Sequence, residues 1–271
     1  MKTPISYYGG KQKLAKEILK RIPEHRLYCE PFFGGGAIFF EKPKSAVEVI
    51  NDTNQELINF YRVVKQQYVG LSQMIQITLH SRQAHTDAEI IYNACTKKNA
   101  AHLFSEVERA WAVWVLSTQS FSSKLDGSWG YDIGKNTTSK KIMNKREGFT
   151  TDYAIRLQDV QIECTDAIRI IESRDGKDSF FYPDPPYFNS NCGHYDGYSE
   201  QDFKNLLNSL SKIEGKFLLS SYPSDVLAEY VKKNGWKQVS FEQRVTVNNK
   251  GGKTKKKIEV LTANYDIKSD V

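Results

Sequence analysis

The chain has 271 residues, 39% of them hydrophobic and 26% charged, the composition of a soluble globular protein that can bury a sizeable core in one domain or in a domain carrying an insertion. No apolar run approaches the ~20 residues that span a bilayer, and Met1-Lys2-Thr3-Pro4-Ile5 lacks an apolar signal core, so a membrane or secreted protein is not expected and a cytoplasmic one is. The net charge of +6 admits a polyanionic partner without requiring one. Cys29, Cys95, Cys164 and Cys192 are widely spaced, with no Cys-x-x-Cys pair and no Cys/His cluster, which predicts free thiols and no metal site.

From the N-terminus, Ser6-Tyr7-Tyr8-Gly9-Gly10-Lys11 leads into a helical pattern of Leu14, Ile18, Leu19 and Ile22. The two glycines let the backbone approach a ligand closely, and Lys11 can meet a carboxylate or phosphate; a plain turn has the same signature. Leu27 to Phe39 then reads as strand, glycine-rich turn (Gly34-Gly35-Gly36) and helix, the βα turn at which parallel sheets bind nucleotide-like cofactors. Neither Gly-x-Gly-x-x-Gly nor a Gly-Lys-Ser/Thr phosphate cradle is present. A second strand, Ala46 to Asn51, ends at Asp52, placed either to hold ribose hydroxyls or to cap the helix that follows. A glycine turn without phosphate determinants, followed by a ribose-binding acid, suits a nucleoside cofactor lacking a pyrophosphate, such as S-adenosylmethionine.

Residues 55 to about 118 read as helical, too long for a simple crossover, which needs a dozen or so residues. An inserted subdomain over 55–148 is therefore expected, with the catalytic domain formed by 1–54 and 149–271. Ser117 to Arg146 reads as polar and loop-like, with a hairpin around Asp126-Gly127. Five basic residues and no acidic one lie between Lys135 and Arg146, a composition that can track phosphates or simply be solvated.

Val160 to Asp166 alternates like a strand ending in an acid, which can also cap the helix beginning at Ala167. Phe180-Phe181-Tyr182 reads as a short buried strand, terminated by Asp184-Pro185-Pro186-Tyr187 because two prolines remove two donors and fix φ. The set suits a planar amino group: Asp184 accepts one N–H, the Pro185 carbonyl the other, and Tyr187 stacks on the ring that carries them. An ordinary turn also uses Pro and Asp. Tyr195 and Tyr198 lie in a polar loop, Asn189 to Ser199, of the kind that either closes over a substrate or is plain surface. Beyond it the α/β alternation returns: helix Phe203–Leu210, strand Lys216–Ser221, helix Val226–Asn234, and a terminal strand pair, Phe241–Val247 and Ile258–Tyr265, with a glycine- and lysine-rich tip.

Tyr8-Gly9-Gly10-Lys11, Glu30-Pro31-Phe32-Phe33-Gly34-Gly35-Gly36, Asn51-Asp52 and Asp184-Pro185-Pro186-Tyr187, in this order, resemble the Dam-type family of DNA N6-adenine methyltransferases. The resemblance implies a doubly wound, mostly parallel α/β sheet of the S-adenosylmethionine-dependent methyltransferase fold, with an inserted helical target-recognition subdomain. It implies catalysis at Asp184, Pro185, Pro186 and Tyr187 on an adenine flipped out of double-stranded DNA. A cofactor site follows from Tyr7, Gly9, Gly10, Lys11, Glu30, Phe32, Gly34, Gly35, Gly36, Asp52, Cys164, Asp166 and Asp184, with Asp166 on the cofactor's adenine amine. DNA contacts are expected from Ser122, Ser123, Lys124, Trp129, Asn136, Lys140 and Lys141. A monomer is expected, with a restriction enzyme as a further partner. Relatives acting at GATC carry a longer hairpin here with a guanine-reading arginine, and no arginine stands between Phe121 and Tyr131, so a different target sequence is expected. The alternatives are N4-cytosine or RNA-adenine methylation on the same fold, or an inactive DNA- or cofactor-binding protein; intact Asp184, Tyr187, Lys11 and Asp52 weigh against decay.

Overall fold

A computed structural model of the chain describes residues 1–189, 197–244 and 256–267. Cys192, Tyr195 and the terminal hairpin's tip at 248–255 lie outside them. In chain order the elements are α1 (Ala15–Leu19), β1 (Leu27–Glu30), α2 (Ala37–Glu41), β2 (Val47–Asn51), α3 (Gln55–Gln66), α4 (Tyr68–Ile77), α5 (Arg82–Lys97) and α6 (Glu106–Gln119). There follow α7 (Thr137–Glu147), α8 (Asp152–Leu157), β3 (Gln161–Glu163), α9 (Ala167–Arg174), β4 (Ser179–Phe181), α10 (Glu200–Leu210), β5 (Lys216–Ser221), α11 (Asp225–Asn234), β6 (Lys237–Arg244) and β7 (Lys256–Ala263). No described helix is long and apolar enough to cross a membrane.

The chain divides into two compact units. One comprises 16–32, 44–51 and 165–271, and holds six strands of a seven-stranded sheet in the order β2-β1-β4-β5-β7-β6. The contiguous four, β2, β1, β4 and β5, pair in parallel, and β7 lies antiparallel to both β5 and β6. Parallel strands need both faces covered, and their sequences accordingly read as near-continuous apolar runs: Phe180 and Phe181 on β4 and Phe217, Leu218 and Leu219 on β5 are all fully buried. Against one face pack Ile170 and Ile171 of α9, Phe203, Leu206, Leu207 and Leu210 of α10, and Leu227 of α11. These helices start at side-chain caps. Asp166 accepts from the N–H groups of Ile168 and Arg169, Ser199 and Asp202 form a reciprocal capping box, and Ser224 accepts from Leu227 N–H.

The other unit comprises 1–15, 33–43 and 52–164. It carries α2 through α8 and β3 around a core that includes Leu57, Phe60, Tyr61, Val64, Val113 and Trp114. Trp114 is fully buried; Trp111 is half-buried and donates its indole N–H to Thr78 Oγ1 at 2.7 Å. A forked ion pair ties α3 to α6: Arg109 Nε and Nη2 donate to Glu56 Oε2 and Oε1 at 2.9 and 2.6 Å. Glu56 is only 3% exposed, so removing its partner strands a buried charge. Arg109→Met is expected to lower stability by about 3 kcal/mol, read as a fall in the denaturation midpoint; replacing both residues by apolar ones is expected to cost less.

Three local expectations are corrected. The hairpin around Asp126-Gly127 is reduced to one antiparallel bridge between Ser120 and Trp129, closed by bonds from Phe121 N–H to the Ser128 carbonyl (2.8 Å) and from Gly130 N–H to the Gln119 carbonyl (2.7 Å), without paired strands; Phe121–Ser123 is a short turn with positive φ at Ser122 and Ser123. The segment Lys135–Arg146, expected as loop, is largely the helix α7. Tertiary anchors stabilise it where apolar periodicity does not: Ile142 is buried, His80 Nδ1 bonds Ser139 Oγ at 2.7 Å, and Arg146 Nη1 donates to the Thr78 carbonyl. The terminal strand also begins earlier than expected, at Lys237.

Candidate functional site

The glycine-rich turn is built by close packing. Gly34 and Gly36 adopt φ of 49° and 64°, the left-handed region that suits glycine. A Cβ at Gly36 would stand 2.5 Å from Phe33 Cζ, and one at Gly35 would stand 2.8 Å from Tyr7 Cβ. Tyr7 thus lies directly on the turn, Tyr61 donates its hydroxyl to the Gly34 carbonyl at 2.9 Å, and Gly36 serves as the N-cap of α2. Gly9 has φ of 75°, and Lys11, with only 8% of its surface exposed, donates to the Gly9 carbonyl at 3.3 Å.

Asp52 is half-buried and faces this turn. Its Oδ2 accepts from Gly34 N–H and its Oδ1 from Asn54 N–H, each at 2.9 Å. Burial raises its pKa, and the backbone donors of Asn54, Gly34 and Thr53 offset part of that rise. The helix-capping reading of Asp52 belongs to its neighbour: Asn54 Oδ1 accepts from Glu56 and Leu57 at the start of α3. Cys164 is exposed, its Sγ 3.9 Å from the Thr53 carbonyl.

In the sheet unit, Glu30 ends β1 at 2% exposure and accepts the Tyr28 hydroxyl at 2.6 Å. Phe32 packs edge-on against Tyr198, with ring centroids 6.2 Å apart. Burial, with Asp202 and Asp166 adding negative charge, pushes the Tyr198 phenol above its usual range. Asp166 is exposed beyond its two capping bonds to α9.

The Asp184-Pro185-Pro186-Tyr187 turn follows β4 directly. Its stem is fixed by backbone bonds from Tyr182 N–H to the Cys29 carbonyl (2.9 Å) and from Ser220 N–H to the Pro183 carbonyl (3.0 Å). Tyr187 is half-buried, and its ring lies 4.3 Å from that of Tyr222, tilted by 57°. The hydroxyl meets Glu259 Oε1 at 2.6 Å, Ser220 Oγ at 3.2 Å and Asp184 Oδ1 at 3.3 Å. Burial and the Asp184 and Glu259 carboxylates hold this phenol well above its ordinary pKa, so it stays protonated. Sequence reasoning did not reach Ser220, Tyr222 or Glu259. The available signals were hydroxyls at the carboxyl end of the strand beside β4 and an acid inside the apolar run of β7.

The residues expected at DNA do not behave alike. Ser122 and Ser123 both take positive φ; Ser122 is exposed, whereas Ser123 is buried and accepts from Lys141 Nζ at 3.3 Å. Lys124 Nζ sits 5.3 Å from the centre of the Tyr8 ring. Trp129 is half-buried, stacked on Tyr131 at 5.4 Å with the Arg82 guanidinium 4.6 Å from its centre. Asn136 and Lys140 are exposed at the start and on the surface of α7. A groove of about 660 Å³ beside α7 is lined by Lys2, Lys140, Lys141 and Lys145 among others. Burial and the charges of Lys141 and Lys2 push the Lys145 amine down to about 8. Among the described residues no cluster of His, Cys, Asp and Glu could hold a metal ion.

A family model described as D12 class N6 adenine-specific DNA methyltransferase matches residues 7–247. The chain is 29% identical to the Type II methyltransferase M1.LlaDCHI of Lactococcus lactis subsp. cremoris, over 95% of this chain and 93% of the relative. It is 25% identical to the Type II methyltransferase M.MjaIII of Methanocaldococcus jannaschii, over 96% and 98%. A DNA N-6-adenine-methyltransferase of Escherichia phage P1 is 24% identical over 91% of this chain, which spans 33% of that longer relative.

Proposed function

The chain belongs to the D12 class N6 adenine-specific DNA methyltransferase family, and on that premise we propose that Asp184 and the Pro185 carbonyl receive the adenine amine while the glycine turn and Asp52 hold S-adenosylmethionine. The observation that supports this most is the state of Asp184. It stands on a proline-stiffened turn at the end of a buried parallel strand, with a protonated Tyr187 beside it.

The residues present fit the cofactor by their chemistry. The glycine turn has no phosphate-binding lysine or hydroxyl following it, and Asp52 is an acceptor suited to ribose hydroxyls, its two oxygens offering about four lone-pair sites of which the backbone donors take only part. When bound, S-adenosylmethionine supplies an electrophilic methyl on a sulfonium. Tyr7, Gly9, Gly10, Lys11, Glu30, Phe32, Cys164 and Asp166 complete the proposed cofactor set, on the family pattern. At the amine, the lone pair is delocalised into the purine. Acceptance of its two hydrogens by Asp184 and Pro185 directs the nitrogen toward tetrahedral geometry and exposes the lone pair, so the protein acts through position and electrostatics. Tyr187 offers its ring to the base, which must leave the duplex at a cost of a few kcal/mol. Stacking returns roughly 1 to 3 kcal/mol of that.

Residues 55–148 serve as the target-recognition part, with Lys140 and Lys141 at phosphates and Ser122, Ser123, Lys124, Trp129 and Asn136 nearer the bases. The Type II names of two relatives support a role beside a restriction enzyme. The protein acts as a cytoplasmic monomer in this reading, since one chain carries every motif. Incubation with unmethylated genomic DNA and S-adenosylmethionine, followed by nucleoside mass spectrometry, is expected to yield N6-methyladenine. N4-methylcytosine, or methylation of RNA alone, would overturn the reading.

A further inference from the structure

We propose that Glu259 is a positioning residue for methyl transfer: it accepts the hydrogen bond of the Tyr187 hydroxyl and so keeps that donor away from Asp184, preserving Asp184 as an acceptor for the substrate amine. The inference rests on the reading of Asp184 given above. A phenol has one hydrogen to donate, and two carboxylates lie within its reach. Glu259 Oε1 is 2.6 Å away and Asp184 Oδ1 is 3.3 Å away. Hydrogen bonds from a hydroxyl to a carboxylate settle at about 2.5–2.7 Å, so the hydrogen lies toward Glu259. Ser220 Oγ donates to the same Glu259 oxygen at 2.9 Å, so this one atom collects both hydroxyl hydrogens. Asp184 Oδ1 then faces a lone pair of the Tyr187 oxygen rather than its hydrogen.

The placement of Glu259 is specific. It is 6% exposed on β7, next to the buried Val260 and Leu261, a position where an acid is unfavourable unless hydroxyls or other donors satisfy it. If Glu259 is removed, the Tyr187 hydrogen is left with Ser220 Oγ at 3.2 Å and Asp184 Oδ1 at 3.3 Å; the charged carboxylate is the stronger acceptor, and there the hydrogen competes with the adenine amine. A ring-positioning role alone does not predict that competition.

The test is single-turnover methylation of DNA by the full chain carrying Glu259→Leu, Tyr187→Phe or both, with S-adenosylmethionine affinity measured on each by calorimetry. Glu259→Leu is expected to lower the methyl-transfer rate by about 10- to 100-fold, the worth of a hydrogen bond to a charged group, with cofactor affinity unchanged. Adding Tyr187→Phe removes the competing hydrogen, and the double variant is expected to recover to the rate of Tyr187→Phe alone. A Glu259→Leu rate equal to wild type overturns the inference, and so does a double variant as slow as Glu259→Leu or slower. Should Glu259→Leu lose cofactor binding and hence its fold, Glu259→Gln decides: it keeps the shape with a weaker acceptor, and an unchanged rate overturns the inference. An inactive wild type, or an active Asp184→Ala, instead sinks the reading of Asp184 itself.

Discussion

Asp184→Ala is expected to abolish adenine methylation while leaving the protein folded. The stem of the turn is fixed by main-chain bonds, Tyr182 to Cys29 and Ser220 to Pro183, and none of them needs the Asp184 side chain. Removing one preorganised group that acts on developing charge typically costs roughly 10²- to 10³-fold in rate. Here the loss is expected at the upper end or beyond, because the Pro185 carbonyl alone cannot reshape the amine. Asp184→Asn keeps one acceptor oxygen and adds an N–H₂ that opposes the substrate's own, so it too is expected to be slow. Single-turnover kinetics at saturating cofactor, beside a thermal melt, separates this outcome from unfolding; a variant within tenfold of wild type would remove Asp184 from the reaction.

The second large effect is expected at the glycine turn. Gly36→Val places a β-branched residue at φ of 64°, with its Cβ 2.5 Å from Phe33 Cζ. Phe33 cannot yield easily: it is 3% exposed and packs against Phe39 and Tyr61 at centroid distances of 5.4 and 4.7 Å. Left-handed strain of about 1–2 kcal/mol adds to overpacking of about 1–3 kcal/mol, and both act on the segment that starts α2 and presents its N–H to Asp52. Calorimetry is expected to show S-adenosylmethionine binding lost, and a melt a clearly lowered Tm. Gly134→Ala is the matched control, since an added methyl there meets nothing within 4 Å. Retained cofactor affinity in Gly36→Val would disconnect this turn from the cofactor.

What the sequence made legible was local. The strand Lys216–Ser221 is β5 to the residue, and the strand, turn and helix around Gly34-Gly35-Gly36 are β1 and α2, because apolar runs and glycines carry their own geometric consequences. The helix α7 was illegible for the converse reason. Its sequence, Thr137 to Glu147, buries only Ile142, and it is stabilised by partners such as His80 and Thr78 that lie far off in sequence. The hairpin at Asp126-Gly127 stops at the single bridge between Ser120 and Trp129, because a turn signal alone does not supply two strands with complementary faces. In the site, Asp184 and Tyr187 stood out from their turn chemistry. Glu259, separated from Tyr187 by 72 residues, could be joined to it only by the sheet order. Asp52 is intermediate between these cases: its position at the end of β2 was legible, but its grip on Gly34 N–H was not.

The antiparallel strand β7 sits between β5 and β6, although it follows both in the chain. During synthesis β5 and β6 emerge first and cannot pair with each other in their final arrangement; each awaits a neighbour still to be made. Until β7 arrives, the edge of β5, with Phe217, Leu218 and Leu219, is an open template for other strands. The same late strand delivers Glu259 to Tyr187. Closure of the sheet and completion of the tyrosine's hydrogen bonding are therefore one event, so a nascent chain that has not yet sealed its vulnerable edge also lacks its finished site.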